Sequence, residues 1–152
     1  MSDYKIEKKP FPVKLFFPNG TEEEGNIYLS LLAAYHEGRE SVRDVLNDSA
    51  PFLPVNSLGR TTRLVNKENI SMISYPEQGE KDESVASGVS HHEVVLGLIN
   101  SVRLEGEFIF LLPPYSSRVK DYINQAEPFV ELRKEQEIYL VNRRYIDFVE
   151  ER

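Results

Sequence analysis

The 152-residue chain has no cysteine. That excludes a disulfide framework and a thiolate metal site, and it fits a reducing compartment, so a cytoplasmic location is expected. Long apolar runs are also missing, and the charged stretch Met1 to Lys9 leads into no apolar segment, so neither a signal peptide nor a membrane span is expected. Histidine is scarce: His36, His91 and His92 are the only three. Adjacent side chains in an extended segment point to opposite sides, and no second ligand pair stands at helical or hairpin spacing, so no metal and no other cofactor is expected. Carboxylates are plentiful but scattered, Glu22-Glu23-Glu24 reads as a solvated hairpin flank, and no Ser or Thr sits in a nucleophile motif. The chain is therefore not expected to be an enzyme.

What is present is a pattern written twice. Val13-Lys-Leu15-Phe-Phe-Pro-Asn19-Gly20-Thr-Glu-Glu-Glu24-Gly25 returns without a gap as Val94-Val-Leu96-Gly-Leu-Ile-Asn100-Ser101-Val-Arg-Leu-Glu105-Gly106. Val42-Arg-Asp44-Val-Leu46-Asn47 and Pro51-Phe52 return as Val119-Lys-Asp121-Tyr-Ile123-Asn124 and Pro128-Phe129. Leu64-Val65-Asn66-Lys67 and Ile70 return as Leu140-Val141-Asn142-Arg143 and Ile146. The order is kept throughout and the length differences fall where surface loops absorb deletions, so duplication of one small unit is the reading. About 60 ordered residues per unit is near the lower limit for independent folding, and the two units are expected to pack on each other about a pseudo-two-fold axis.

Charge separates the units. Residues 1–75 carry 9 basic and 10 acidic side chains, residues 76–93 carry 1 and 5, and residues 94–152 carry 8 and 10, which gives the net of −7. Residues 76–93, rich in Gly, Ser and acid, read as a solvated linker between a first domain at 1–75 and a second at 94–152. With both domains nearly neutral, there is no general attraction to a polyanion, and a membrane surface is not an expected partner.

Strand signals dominate each unit. Pro12 to Phe17 and Gly25 to Leu31 flank the turn former Asn19-Gly20, and Phe52 to Val55, Thr61 to Val65 and Ile70 to Ser74 supply three more strands. Between the second and third lies a short helical turn opened by Ser41-x-x-Asp44, with Ser117-x-x-x-Asp121 in the second unit. Asp44, Asn47, Asn66, Asp121, Asn124 and Asn142 recur as caps and turn residues that bond local backbone. Five short strands and one helical turn in so few residues describe a small β-barrel whose closure removes the sheet edges, so the expected fold is mainly β, with two tandem five-stranded barrels.

Val13-x-Leu15-Phe16-Phe17-x-Asn19-Gly20-x-x-x-x-Gly25-x-Ile27 and Val65-x-Lys67-x-x-Ile70-Ser71-x-Ile73 resemble the two halves of the Sm-like domain of the bacterial RNA chaperones. The Asp-x-x-Asn segment followed by Phe52-Leu53-Pro54 resembles bacterial domains with no activity to carry over. The Sm resemblance implies an RNA contact at Lys67, although Glu68 stands where that family has histidine. Arg133, Lys134, Arg143 and Arg144, placed in two neighbouring turns with Arg118 and Lys120 near, are the candidate nucleic-acid or partner contacts. The expected function is a non-catalytic protein-interaction or assembly module acting on another protein or on itself. RNA binding through the basic turn residues is the alternative.

Overall fold

A computed structural model describes residues 7–31, 38–57, 59, 61–77, 89–110 and 118–152. The first half forms β1 (Lys8–Phe16), β2 (Glu22–Ser30), α1 (Val42–Asn47), β3 (Phe52–Asn56), β4 (Thr62–Asn66) and β5 (Met72–Pro76). The second forms β6 (Ser90–Leu98), β7 (Arg103–Phe110), α2 (Val119–Gln125), β8 (Phe129–Lys134), β9 (Glu137–Asn142) and β10 (Ile146–Glu151). All pairings are antiparallel. The fold is mainly β, as the strand signals predict.

Local chemistry accounts for the elements. In the first hairpin, Phe17 N–H bonds Thr21 O and Gly20 N–H bonds Phe17 O, Gly20 has φ +90°, and Asn19 Oδ1 accepts from Thr21 N at 3.0 Å. The second hairpin repeats this with Leu98, Val102 and Ser101, but Ser101 takes φ +70° with a side chain, a costlier choice. β1 runs further back than expected, through Pro10 and Pro12, because β5 pairs only with Lys14–Phe16 and leaves that side of the proline stretch without a ladder. Ser41 and Asp44 form a complete capping box on α1. On α2, Arg118 is the N-cap and its side chain makes no capping bond to the backbone, but it pairs with Asp121 at 3.1 Å; Ser117 lies outside the described residues.

The strands form one sheet in the order β10-β6-β7-β8-β9-β5-β1-β2-β3-β4. This corrects two expectations. Within the described residues the sheet does not close, so edges remain. The halves also meet through unlike strands, the fifth of the first (β5) and the fourth of the second (β9), where a two-fold axis would pair like with like. Each half has the same internal order, fifth strand beside first, then second, third and fourth. In each, second and third strands share a single pair, Asn26 with Asn56 and Glu107 with Arg133, so the sheet bends there. Glycine permits the approach: a Cβ on Gly25 would lie 3.0 Å from Asn56 O, and one on Gly106 2.7 Å from Arg133 O.

Side chains alternate across β5 and β9 into two cores. Ile73 and Tyr75 join Phe129, Ile138 and Leu140 in a cluster with Leu15, Ile27, Val55 and Ile70. Met72 joins Val130 and Val141 in the other, around Leu96, Phe108 and Leu132. Each half thus completes the core of the other. β6 begins at Ser90, inside the stretch read as a linker: His91 and His92 are strand residues opposite Ile109 and Phe108, where the strand signal was masked by polar side chains.

Candidate interaction edge

The internal junction shows what these strands do when paired. Met72, Ile73, Ser74 and Tyr75 face Val141, Leu140, Tyr139 and Ile138, and Phe129 and Leu140 are buried at 3% and 0% exposure. Asn142 is also buried. Its Nδ2 donates to Ile70 O at 3.0 Å while its Oδ1 accepts from Arg144 N at 3.1 Å, and its own N–H reaches Ser71 O. Asn47 brackets the backbone of Phe129, accepting its N–H at 2.8 Å and donating to its carbonyl at 3.2 Å. The expectation that Asn47 bonds local backbone is corrected: its partner is 82 positions away. Asn124 does bond locally, to Lys120 O at 2.8 Å.

At the outer end of the sheet, the corresponding strand β4 pairs with β3 alone among the described residues. Leu64, which matches Leu140 in sequence, is 68% exposed, and Phe52, which matches Phe129, is 49% exposed. Asn66 accepts from Glu68 N at 3.0 Å as Asn142 does from Arg144, but its amide nitrogen finds no carbonyl among the described residues. A groove of about 700 Å³ runs along β4 beside the first hairpin turn, lined by Phe17, Glu22, Glu23, Arg63, Val65 and Asn66. Its rim is fixed by ion pairs: Arg63 with Glu23, and Lys14 with Glu22 at 2.8 Å. The hydrogen bond and the charge of Glu22 hold the Lys14 ammonium above its ordinary pKa. Among the described residues the outer side of β4 has no ladder partner and is flanked by two exposed apolar side chains.

The basic residues do not gather into a patch. Arg133 and Lys134 end β8 while Arg143 and Arg144 follow β9, so they stand at opposite ends of a six-residue strand, about 20 Å apart, rather than in neighbouring turns. Lys67 is 7% exposed, and its Nζ donates to Val45 O and Asp48 Oδ1, both at 2.6 Å. Arg143 bonds Ala126 O, Arg144 pairs with Glu68 at 3.3 Å across the junction, and Arg133 pairs with Glu77 and Glu131, each at 3.2 Å. Lys134 borders a hollow that also holds Glu93, Glu105, Glu107 and Glu135. Asp48 was missed from the sequence because the Lys67 partner lies 19 positions back, beyond any local motif.

His91 Nδ1 meets Glu107 at 2.5 Å, and the His92 ring stacks on Phe110 with centroids 4.9 Å apart. His36 lies outside the described residues. Among the described residues no group of three or more His, Cys, Asp or Glu is placed to hold a metal, and no helix is long and apolar enough to cross a membrane. Comparison with protein-family models, with curated proteins and with solved structures returns no match.

Proposed function

We propose that this chain is a non-catalytic interaction module of a reducing compartment, built from two copies of an Sm-like small-barrel unit, and that it binds by strand addition at β4. The observation that carries this is the contrast between matched residues: Leu140 and Phe129 are buried where β5 pairs along the outer side of β9, and Leu64 and Phe52 are exposed where, among the described residues, no strand pairs along the outer side of β4. An exposed apolar edge strand costs solubility and invites association, and a free edge of this kind is the usual acceptor for an extended partner. The repeated strand order and the matched turn hydrogen bonds support the two-unit description.

The test is selection of extended peptides from a random library against nanomolar protein, followed by fluorescence anisotropy of the peptides obtained. Binding should be lost on Leu64→Asp and on N-methylation of a peptide amide facing β4. Selection of nothing, or peptides that bind Leu64→Asp equally well, overturns the proposal.

A further inference from the structure

The first core has an apolar recess at one end. β1 pairs Lys9 with Leu29 and Phe11 with Ile27, so Lys9, Phe11, Val13 and Leu15 follow one another on the core face of that strand. Past Val13 a cavity of about 470 Å³ is walled by Phe11, Leu29, Val42, Tyr75 and Ile138. Phe11 stands edge-on to Tyr75 there, with ring centroids 5.4 Å apart. The matched positions of the second half carry larger or flatter side chains: Phe110 for Leu29, Tyr122 for Val45 and His92 for Phe11. Those three rings stack, Phe110 lying 4.9 Å from His92 and 4.3 Å from Tyr122 between centroids. One copy of the unit thus occupies this end with a ring stack, and the other keeps aliphatic walls around a space. Such a space forfeits packing contacts until something apolar enters it.

The mouth of the recess is charged. Lys9 and Arg39 line it, both are exposed, and neither side chain makes an ion pair among the described residues. By contrast, Lys14, Arg43, Arg63 and Lys67 of the same half each hold a carboxylate. The acid at the mouth, Glu40, is committed to the end of β2: its Oε1 accepts from Ser30 N at 2.9 Å and its own N–H donates to Ser30 O at 3.0 Å. Two cations against one acid leave the mouth net positive. We propose that this recess binds a small carboxylate with an apolar tail, a medium-chain fatty acid, its tail among Phe11, Leu29 and Ile138 and its carboxylate between Lys9 and Arg39. The guanidinium fork of Arg39 matches a carboxylate, and Lys9 lays its stem along the apolar wall with the ammonium at the rim. The volume is that of an ordinary small-molecule site. No residue of β4 lines it, so its occupancy is separate from strand addition there.

Isothermal titration calorimetry of the full chain with hexanoate, octanoate and decanoate, each below its micelle concentration, tests this. Binding should saturate at a single site per chain, and each two added methylenes should tighten it about tenfold. Decanol, which has the tail without the charge, should bind more weakly than decanoate, and decylamine more weakly still. Lys9→Glu combined with Arg39→Glu changes two exposed side chains, replacing attraction by repulsion. It should weaken decanoate at least about tenfold and leave decanol within about twofold. Leu29→Phe, which gives the first half the ring that the second has at that position, should fill the recess and abolish binding of both, with circular dichroism checking that the fold is kept. If that variant unsettles the fold, the charge-reversed pair decides. No saturable heat with decanoate overturns the proposal, as does undiminished binding to folded Leu29→Phe. Decanol bound as tightly as decanoate, or an equal loss of both in the charge-reversed chain, overturns the carboxylate assignment.

Discussion

Replacing Leu140 and Leu64 by alanine applies the same deletion to matched positions with opposite surroundings. Leu140 is fully buried in the first core and faces Ile73, so its truncation removes the side chain from a packed interior and leaves a hole, at a cost of about 3–4 kcal/mol. Leu64 keeps only a third of its surface covered in a single chain, which scales the transfer of a leucine to about 0.5–1 kcal/mol. Urea unfolding at the lowest usable protein concentration, followed by circular dichroism and tyrosine fluorescence, separates them. With an unfolding slope of about 1–3 kcal/mol per molar urea, Leu140→Ala should lower the midpoint by about 1–4 M and Leu64→Ala, at the same slope, by about a quarter of that or less. Equal shifts would refute the strand order, because they would require β4 to be covered as β9 is.

Asn142→Ala strands the Ile70 carbonyl and the Arg144 N–H at the junction and should cost about 1–3 kcal/mol, whereas Asn66→Ala loses a cap alone, about 0.5–1 kcal/mol, both read from urea midpoints. Gly106→Ala drives a methyl into Arg133 O and Leu132 where β7 meets β8; thermal unfolding should show a loss of about 1–3 kcal/mol, and an unchanged melting temperature would contradict the close crossing. Burial raises the phenols of Tyr75 and Tyr122 above their ordinary value. Their contribution to stability is complete below about pH 10 and falls as pH rises beyond it, since the unfolded chain releases those protons first. A urea midpoint that stays level from about pH 9 to 11 would contradict that burial.

Much of the strand content was legible because Val, Ile, Leu, Phe and Tyr cluster between turn formers such as Asn19-Gly20, and the capping box of α1 could be read from Ser41 and Asp44. Which strands pair was not legible, because alternation marks a face and says nothing of the neighbour. Closure and a two-fold axis are the general solutions to exposed edges and to duplication, and the described residues show neither. The difference between the fourth strands did hold a clue: Thr62 and Arg63 stand where β9 has Ile138 and Tyr139, as suits an outer strand against an inner one. Lys67 looked like a surface contact because its anchors, Val45 O and Asp48, come from the end of the preceding helix and the residue after it. Long-range bonds of that sort, like Asn47 to Phe129, leave no local pattern.

The sharing of cores across β5 and β9 also orders events during synthesis. β5 ends at Pro76 and β9 starts at Glu137, so the ribosome makes about 60 further residues, some 3–12 s at about 5–20 residues per second, before the partner strand exists. Over that interval Ile73 and Tyr75 face a core still missing Phe129, Ile138 and Leu140. A nascent first half can therefore borrow β9 from a neighbouring chain on the same message, and a swapped pair, with each chain's β9 seated on the other's β5, is the misassembly to which this architecture is most exposed.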